Sequence, residues 1–486
     1  MRFIGKDPNI IDAYYTATAE GAITAGKPVI VTTDGKVKSI AETAVPQAAG
    51  TPVEVSGGNL VNFGVAYDSA NQKVVVVYRD VTNSSYATAA VATVDNSDNS
   101  VSFGTPVVFN SATTTQLGAS YDTNAGKIVA VYRDFGNSSY GTAIVGTVSG
   151  TSISFGSETV YNSATSEENH IAYDSTAQKH VIVYHDGTNL NAIVGTVSGT
   201  SISFGSEATV YTNADYGPPD VVYDSGNDKT VVFYADKDDG NTGKAKVGTI
   251  SGTSISFGSA GQFQDTSILR ISAAYDSSAG KVVVAYADGE DSNKGKAAVG
   301  TVSGTGISFG TPVQFESGAI SRDTTTSYDA SAGKIVIAYE DVGNSEYGTV
   351  IAGAVSGTSI SFDTALVIED SATDEFGSVY DANAERVVIF YQDEGDSNKA
   401  KSVVFQGAST ATNLTTENYI GITDQAYTDG QDATVAVVGC IDRNQTGLTA
   451  GQQYFVQTDG TLATTADDPS VLAGTAISAT ELVVKE

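Results

Sequence analysis

The stretch "GKIVAVYRDFGNSSYGTA", Gly126 to Ala143, reads as an apolar strand, a polar turn and the start of a second strand. Slightly altered, it returns as "QKVVVVYRDVTNSSYATA" from Gln72, "GKVVVAYADGEDSNKGKA" from Gly280 and "GKIVIAYEDVGNSEYGTV" from Gly333. Ile128 and Ala130 point away from Val129 and Val131, so the first strand is apolar on both faces and must be covered on both sides.

Working outward, a Tyr-Asp pair opens every copy: Tyr67-Asp68, Tyr121-Asp122, Tyr173-Asp174, Tyr223-Asp224, Tyr275-Asp276, Tyr328-Asp329 and Tyr380-Asp381. These seven pairs are spaced 50 to 54 residues apart, and eleven residues after each tyrosine stands another, from Tyr78 to Tyr391. Two residues further on there is always an aspartate, from Asp80 to Asp393. An invariant spacing of this kind implies one rigid hairpin, reused. The second copy divides into four strands, "LGASYD", "KIVAVY", "TAIVGTV" and "ISFGSETVY", with short Gly-containing turns at Asp122–Gly126 and Ser149–Thr151. Four-stranded sheets covered on both faces by their neighbours and repeated at about fifty residues predict a β-propeller of seven blades. The coils of a β-solenoid are usually shorter, and separate sandwiches of this size could not bury both faces.

The seventh copy ends after "KAKSVVFQG" at Gly407 without a fourth strand, while "GTPVEV", Gly50 to Val55, precedes the first copy and matches "GTPVVF" from Gly104. Residues 51–55 are therefore expected to complete the last blade and close the ring. Outside it, "ITAGKPVIVTTDGKVKSIA" from Ile23 aligns without gaps to "LTAGQQYFVQTDGTLATTA" from Leu448, with eight of nineteen positions identical and an Asp-Gly turn in each. The reading is an all-β chain in which the seven-bladed propeller, residues 51–407, is inserted into one small β-barrel-like domain. Residues 1–50, with an N-terminal arm, and 408–486 form that domain; two independent mini-barrels are the alternative.

"TATAEGAITAGKPVIVTTDGKV" (Thr16 to Val37), "YIGITDQAY" (Tyr419 to Tyr427) and "LAGTAIS" (Leu472 to Ser478) together resemble the small β modules of tailed-phage virion proteins, of the head-decoration and tail-fibre type found in marine phages. The repeats are similar to those of phage structural proteins. The resemblance implies a virion surface protein whose small domain contacts other capsid or tail proteins, as a homo-oligomer such as a trimer. The propeller would then be displayed toward host-surface glycan or protein. Head-decoration proteins are far smaller and carry no propeller, which leaves head and tail placement open.

A formal charge of −31 with no basic stripe argues against nucleic acid and anionic membranes as partners. One cysteine, Cys440, rules out an internal disulfide, and no apolar run is long enough for a signal peptide or a bilayer span. Synthesis in a host cytoplasm, release by lysis and residence on a virion surface reconcile these features with a Ser/Thr/Asn/Gly-rich surface.

A residue repeated in all seven blades forms a ring, and an active site rarely needs seven copies of one group; the Tyr and Asp rings read as structural, with carboxylates accepting turn amides. Three histidines, His170, His180 and His185, fall in the third copy, but their spacing puts them on opposite strand faces and lacks a metal signature. No GxSxG elbow occurs, and only Arg79 and Arg133 recur where clustered arginines would hold a carboxylate. No catalysis and no resident cofactor are expected, with a sialidase- or glycosidase-like propeller enzyme, or a purely capsid-stabilising role, as alternatives. The acidic loops offer Ca²⁺ candidates: Asp236, Asp238, Asp288, Asp291, Asp393 and Asp396. The connections between blades, "SATSEENH", "TNADYGPPD" and "SGAISRDTTTS", vary most, so Glu167, Asn169, Asp215, Tyr216, Arg322 and Asp323 are the candidates for a binding face.

Overall fold

The computed structural model describes residues 14–212 and 217–485, with the backbone alone at 321–323. No α-helix occurs among them. The chain divides into two compact units, Gln47–Ala408 and Met1–Pro46 with Ser409–Glu486.

In the larger unit the second repeat shows the building rule. Its inner strand a is the Thr114–Asp122 end of the strand Val107–Asp122, followed by b (Lys127–Asp134) and c (Tyr140–Ser149), all antiparallel. Strand d is broken in two: Ser152–Phe155 pairs with one half of c, and Thr159–Thr165 with the other. The same a–b–c–d pairing recurs seven times among the described residues. We call these sheets 1 to 7. Strand b is buried on both faces, as its sequence requires: Ile128, Val129, Ala130, Val131 and Tyr132 are all 0% exposed. The apolar clusters lie between consecutive sheets, Val75 and Val77 against Ile128 and Ala130, and Val388 and Phe390 against Val74 and Val76. The seventh sheet thus packs on the first as the first packs on the second.

Closure follows the "GTPVEV" phrase. Ala49 pairs with Phe405, Val53 with Ser402 and Glu54 with Lys401, so residues before the first repeat supply the outer strand of sheet 7. Glu54 also receives Lys399 Nζ at 2.7 Å. Each a strand touches that of the next sheet, and the seventh touches the first.

The passage from one sheet to the next differs from expectation. Five strands, Val53–Asp68, Val107–Asp122, Gly261–Asp276, Val313–Asp329 and Leu366–Asp381, run unbroken from d of one sheet into a of the next. "SGAISRDTTTS" is therefore strand and not a loop. A register shift in each of these strands absorbs the change of direction, and Asn62, Gln116, Arg270 and Glu375 sit at such shifts with φ of 53–57°.

The smaller unit, formed by both ends of the chain, holds two copies of one five-strand plan. In the first, strands Tyr14–Glu20, Pro28–Val31, Val37–Ser39, Tyr419–Thr423 and Asp432–Ala436 close on one another. In the second, Ile441–Asp442, Gln453–Val456, Leu462–Ala463, Val471–Ala476 and Leu482–Val484 repeat four of those five pairings in the same order. The matching phrases from Ile23 and Leu448 are the equivalent hairpins. The copies are not independent, because Ile422 and Ala436 of one share a buried cluster with Cys440, Tyr454, Ala476 and Leu482 of the other.

Candidate functional site

The two repeated tyrosine–aspartate sets are joinery. Each first-set aspartate caps its own a–b turn: Asp122 Oδ1 accepts the amides of Asn124 and Ala125 at 3.0 and 2.8 Å, and Asp381 those of Asn383 and Ala384 at 2.9 Å. The tyrosine beside it reaches the preceding sheet. The Gly226 amide donates to Tyr275 Oη at 3.0 Å, and across the closure the Asn383 amide donates to Tyr67 Oη at 3.0 Å. Burial, helped by neighbouring Asp381, pushes the Tyr67 phenol up to about 12, so it stays a neutral acceptor. Second-set tyrosines clasp outer strands: Tyr339 Oη donates to Glu316 and Tyr391 Oη to Glu369, both at 3.0 Å.

The acidic b–c loops already hold cations of their own. Lys244 Nζ lies 2.6 Å from Asp236 and 2.8 Å from Asp239, and Lys296 Nζ lies 2.7 Å from Asp288 and 3.1 Å from Asp291. Lys401 Nζ lies 2.5 Å from Asp393, and Lys399 pairs with Asp396. Each second-set aspartate also caps its loop, as Asp236 does for the amide of Asp238. An ammonium therefore stands where Ca²⁺ would have to, and among the described residues no group of three or more metal-binding side chains is poised around one point.

Of the six binding-face candidates, Glu167 and Asn169 have described side chains, and Asn169 lines the axial cavity described below. Glu167 is held by Arg133 Nη1 at 2.7 Å. Asn169 is buried, accepting Tyr161 Oη and Ser166 Oγ at 2.7 Å and donating to the Gln116 carbonyl. Asp215 and Tyr216 lie outside the described residues, as do the side chains of Arg322 and Asp323. The histidines are dispersed: His180 is 0% exposed, with Nδ1 2.8 Å from Ser120 Oγ and Nε2 3.5 Å from Asp122, and His185 is buried. Burial holds the His180 imidazole below its usual range despite Asp122. This Ser-His-Asp group sits between sheets 2 and 3, closed to any substrate.

What the fold does assemble is an axial cavity of about 310 Å³, lined by all seven a strands. Five residues before each Tyr-Asp pair stand Asn62, Gln116, Glu168, Pro218, Arg270, Asp323 and Glu375. Asn62, Gln116, Glu168, Arg270 and Glu375 have positive φ, a conformation that most L-residues avoid and that here swings the chain at the bulge. The rim is hydrogen-bonded across sheets. The Asn62 amide donates to Glu375 Oε2 at 2.8 Å, the Gln116 amide to Asn62 Oδ1 at 3.1 Å, and Gln116 Nε2 to Glu168 Oε1 at 3.1 Å.

One step inward the wall is one-sided. Gly377, Gly64 and Gly118 occupy three adjoining strands, and a Cβ on Gly64 would stand 2.7 Å from the Gly118 backbone, so these strands approach closely. The other four strands carry His170, Asp220, Ser272 and Thr325 at that level. His170 Nδ1 lies 3.2 Å from Asp220 Oδ1, and the other Asp220 oxygen accepts the Ala273 amide at 2.7 Å. The result is a polar crescent facing a glycine-backed wall. Sequence reasoning looked for variation in loops and reached this ring only at Asp323, although the ring is legible as a position that changes identity at a constant offset from an invariant pair.

No family model and no curated protein matches the chain in sequence. Among solved structures, the BP39L lectin from Burkholderia pseudomallei superposes with a TM-score of 0.54 at 10% identity, over 74% of this chain and 98% of that one. A protein of unknown function from Dyadobacter fermentans (0.44, 10% identity, 75% and 99% covered) and a mutant NanB sialidase from Streptococcus pneumoniae (0.43, 8%, 73% and 70%) are looser likenesses. At such identities the likeness is one of fold: the chain is all-β, antiparallel and propeller-like.

Proposed function

We propose that this chain is a non-catalytic carbohydrate-binding protein of a particle surface. In this reading it is a seven-bladed propeller inserted into the first of two small β-barrel modules, and the propeller recognises glycan while the modules anchor it. The observation that carries the reading is the axial rim, where polar residues of different kinds stand at one position in six of the seven sheets, Pro218 being the exception. A set of fixed amide, carboxylate and guanidinium groups around a cavity is the equipment for sorting hydroxyl groups. The fold likeness to a protein described as a lectin agrees with it. Attachment to a tailed-phage virion rests on the resemblance of the two flanks and is part of the same proposal.

The test is a glycan array probed with the purified chain, with mass-spectrometric analysis of the supernatant. Capture without released sugar is expected; absence of capture would overturn the reading. The His170–Asp220 pair lining the cavity favours one rival, a glycan-processing enzyme, and released sugar would establish it. Immunogold labelling of phage particles tests the virion placement.

A further inference from the structure

Resting on the carbohydrate reading, we propose that the chain binds glycan end-on, its axial cavity taking the terminal sugar of an oligosaccharide, at one site per chain. Spaces between consecutive sheets would give a repeated site, and the axis gives a single one. The spaces between sheets are filled. A second-set tyrosine stands in the apolar cluster of every one, from Tyr78 between sheets 7 and 1 to Tyr391 between sheets 6 and 7. Six of these seven tyrosines are 0% exposed and the seventh, Tyr234, is 3% exposed, so a sugar would have to displace a buried ring to enter. The rim residues, in contrast, differ from sheet to sheet, so no constellation of them occurs twice.

The depth of the cavity decides which part of a glycan it takes. Its lining begins at the rim and stops at Val65, Ala119, Ile171, Ala273, Thr326 and Ser378; the next residues toward the a–b turns do not contribute. Beyond that level the tyrosine joints draw each a strand to the sheet before it, as Tyr67 is drawn to Asn383 and Tyr275 to Gly226. A sugar therefore enters from the rim and has no exit at the far end. The volume, about 310 Å³, lies at the small end for ligand pockets and suits one ring. An internal sugar, with a neighbour on each side, does not fit a site with one opening, whereas a terminal one leaves through the rim by its single linkage. Two polar atoms of the lining residues point to a hydroxyl-bearing occupant. Gln116 Oε1 and Thr324 Oγ1, on the a strands of sheets 2 and 6, are buried and make no hydrogen bond within the chain, a cost that sugar hydroxyls would offset.

The experiment uses the full chain on a glycan array, competed with free glucose, galactose, mannose, fucose, N-acetylglucosamine and N-acetylneuraminate, and calorimetry with the competing sugar to count sites. Glycans that share one terminal residue should be captured whatever lies behind it, the matching free sugar should abolish capture, and saturation should come at one sugar per chain. T324V, which keeps the shape and removes the unpartnered hydroxyl, should weaken capture about five- to tenfold with Tm unchanged or raised. F135A, on an exposed b–c loop, should leave capture as it is. The array pattern and the site count decide the case even if T324V disturbs its strand. Capture set by an internal sugar, capture that none of the six free sugars inhibits, saturation at several sugars per chain, or loss of capture in F135A with full capture in T324V would each overturn the inference while leaving the carbohydrate reading in place. No capture by the wild type would overturn both.

Discussion

The outer strand of each sheet begins its second half with a residue pressed against the c–d turn of the next sheet, and this contact gives a direct test of the closed ring. A Cβ on Gly104 would stand 1.8 Å from the Thr151 carbonyl oxygen, one on Gly156 2.0 Å from Thr200, one on Gly205 1.8 Å from Thr253, one on Gly258 1.9 Å from Thr305, and one on Gly310 1.8 Å from Thr358. At the closing seam Gly50 meets the Asn99 carbonyl in the same way, at 1.9 Å. The exception is Asp363 of sheet 6. Its neighbour, sheet 7, has no c–d turn, because its outer strand comes from the beginning of the chain, so a side chain fits and pairs with Lys334 at 2.7 Å. Gly50→Ala and Gly104→Ala should each force a backbone shift of about an ångström and cost about 3 kcal/mol. For a ring of roughly 360 residues melting as one, with about 2.1 cal/mol/K per residue, this lowers Tm by about 4 °C. If a sheet of about fifty residues melted alone, the same cost would appear as a separate transition displaced by more than about 20 °C. Differential scanning calorimetry of the two variants distinguishes the cases. A Gly50→Ala melt identical to wild type beside a shifted Gly104→Ala melt would refute closure at residues 48–59.

Tyr67→Phe removes the oxygen that accepts the Asn383 amide across the seam and should cost about 1 kcal/mol, equal to Tyr275→Phe at an ordinary interface; chemical denaturation compares them. Lys401→Met leaves Asp393, 3% exposed in its side chain, without its ammonium partner and should cost about 2–3 kcal/mol, read by the same method. His180 is buried with a depressed proton affinity, so the unfolded chain takes up its proton first as pH falls. The stability is intact above the ordinary histidine pKa of 6.5 and is lost progressively below it. The groups facing it are Ser120, Asp122 and Tyr173, and Asp122, held below the usual carboxylate range, contributes in the same direction at lower pH. His180→Val, which restores the residue found at Val74 and Val282, should flatten the slope of Tm against pH between 6.5 and 5.

Strand b and its flanking Tyr and Asp residues could be read from the sequence because both faces are buried and the spacing never varies, so every copy reports the same constraint. The seam was legible for the same reason: "GTPVEV" has the wrong position for a start but the right residues for an outer strand. The passage between sheets was not legible. Loop-like residues such as Ser317, Gly318 and Arg322 stay extended there because a register shift between Ser321 and Thr325, and not a turn, redirects the chain. Local propensity cannot show that, since the energy of the bulge is set by the neighbouring a strand. The acidic loops misled for a related reason. Lys244, Lys296 and Lys401 lie eight residues beyond the aspartates they neutralise, on strand c, and only the hairpin register brings them back.

The insertion itself follows from where the ring closes. In the larger unit Ala48 pairs with Gln406 and Ala49 with Phe405, so the segment enters and leaves at adjacent strands, about 5 Å apart. In the smaller unit Val45 pairs with Ser409 and Glu42 with Thr412, so the host plan also presents its two ends as neighbours. A connection whose ends are already paired adds little loop-closure entropy however long the chain between them. The third and fourth strands of the first small module can therefore be separated by a whole ring, while the second module keeps the same plan uninterrupted. A ring that lacked the strand from residues 48–59 would end its chain at an unpaired edge instead, and the host would have to span the gap; closure by the early strand is what makes the insertion compatible with both folds.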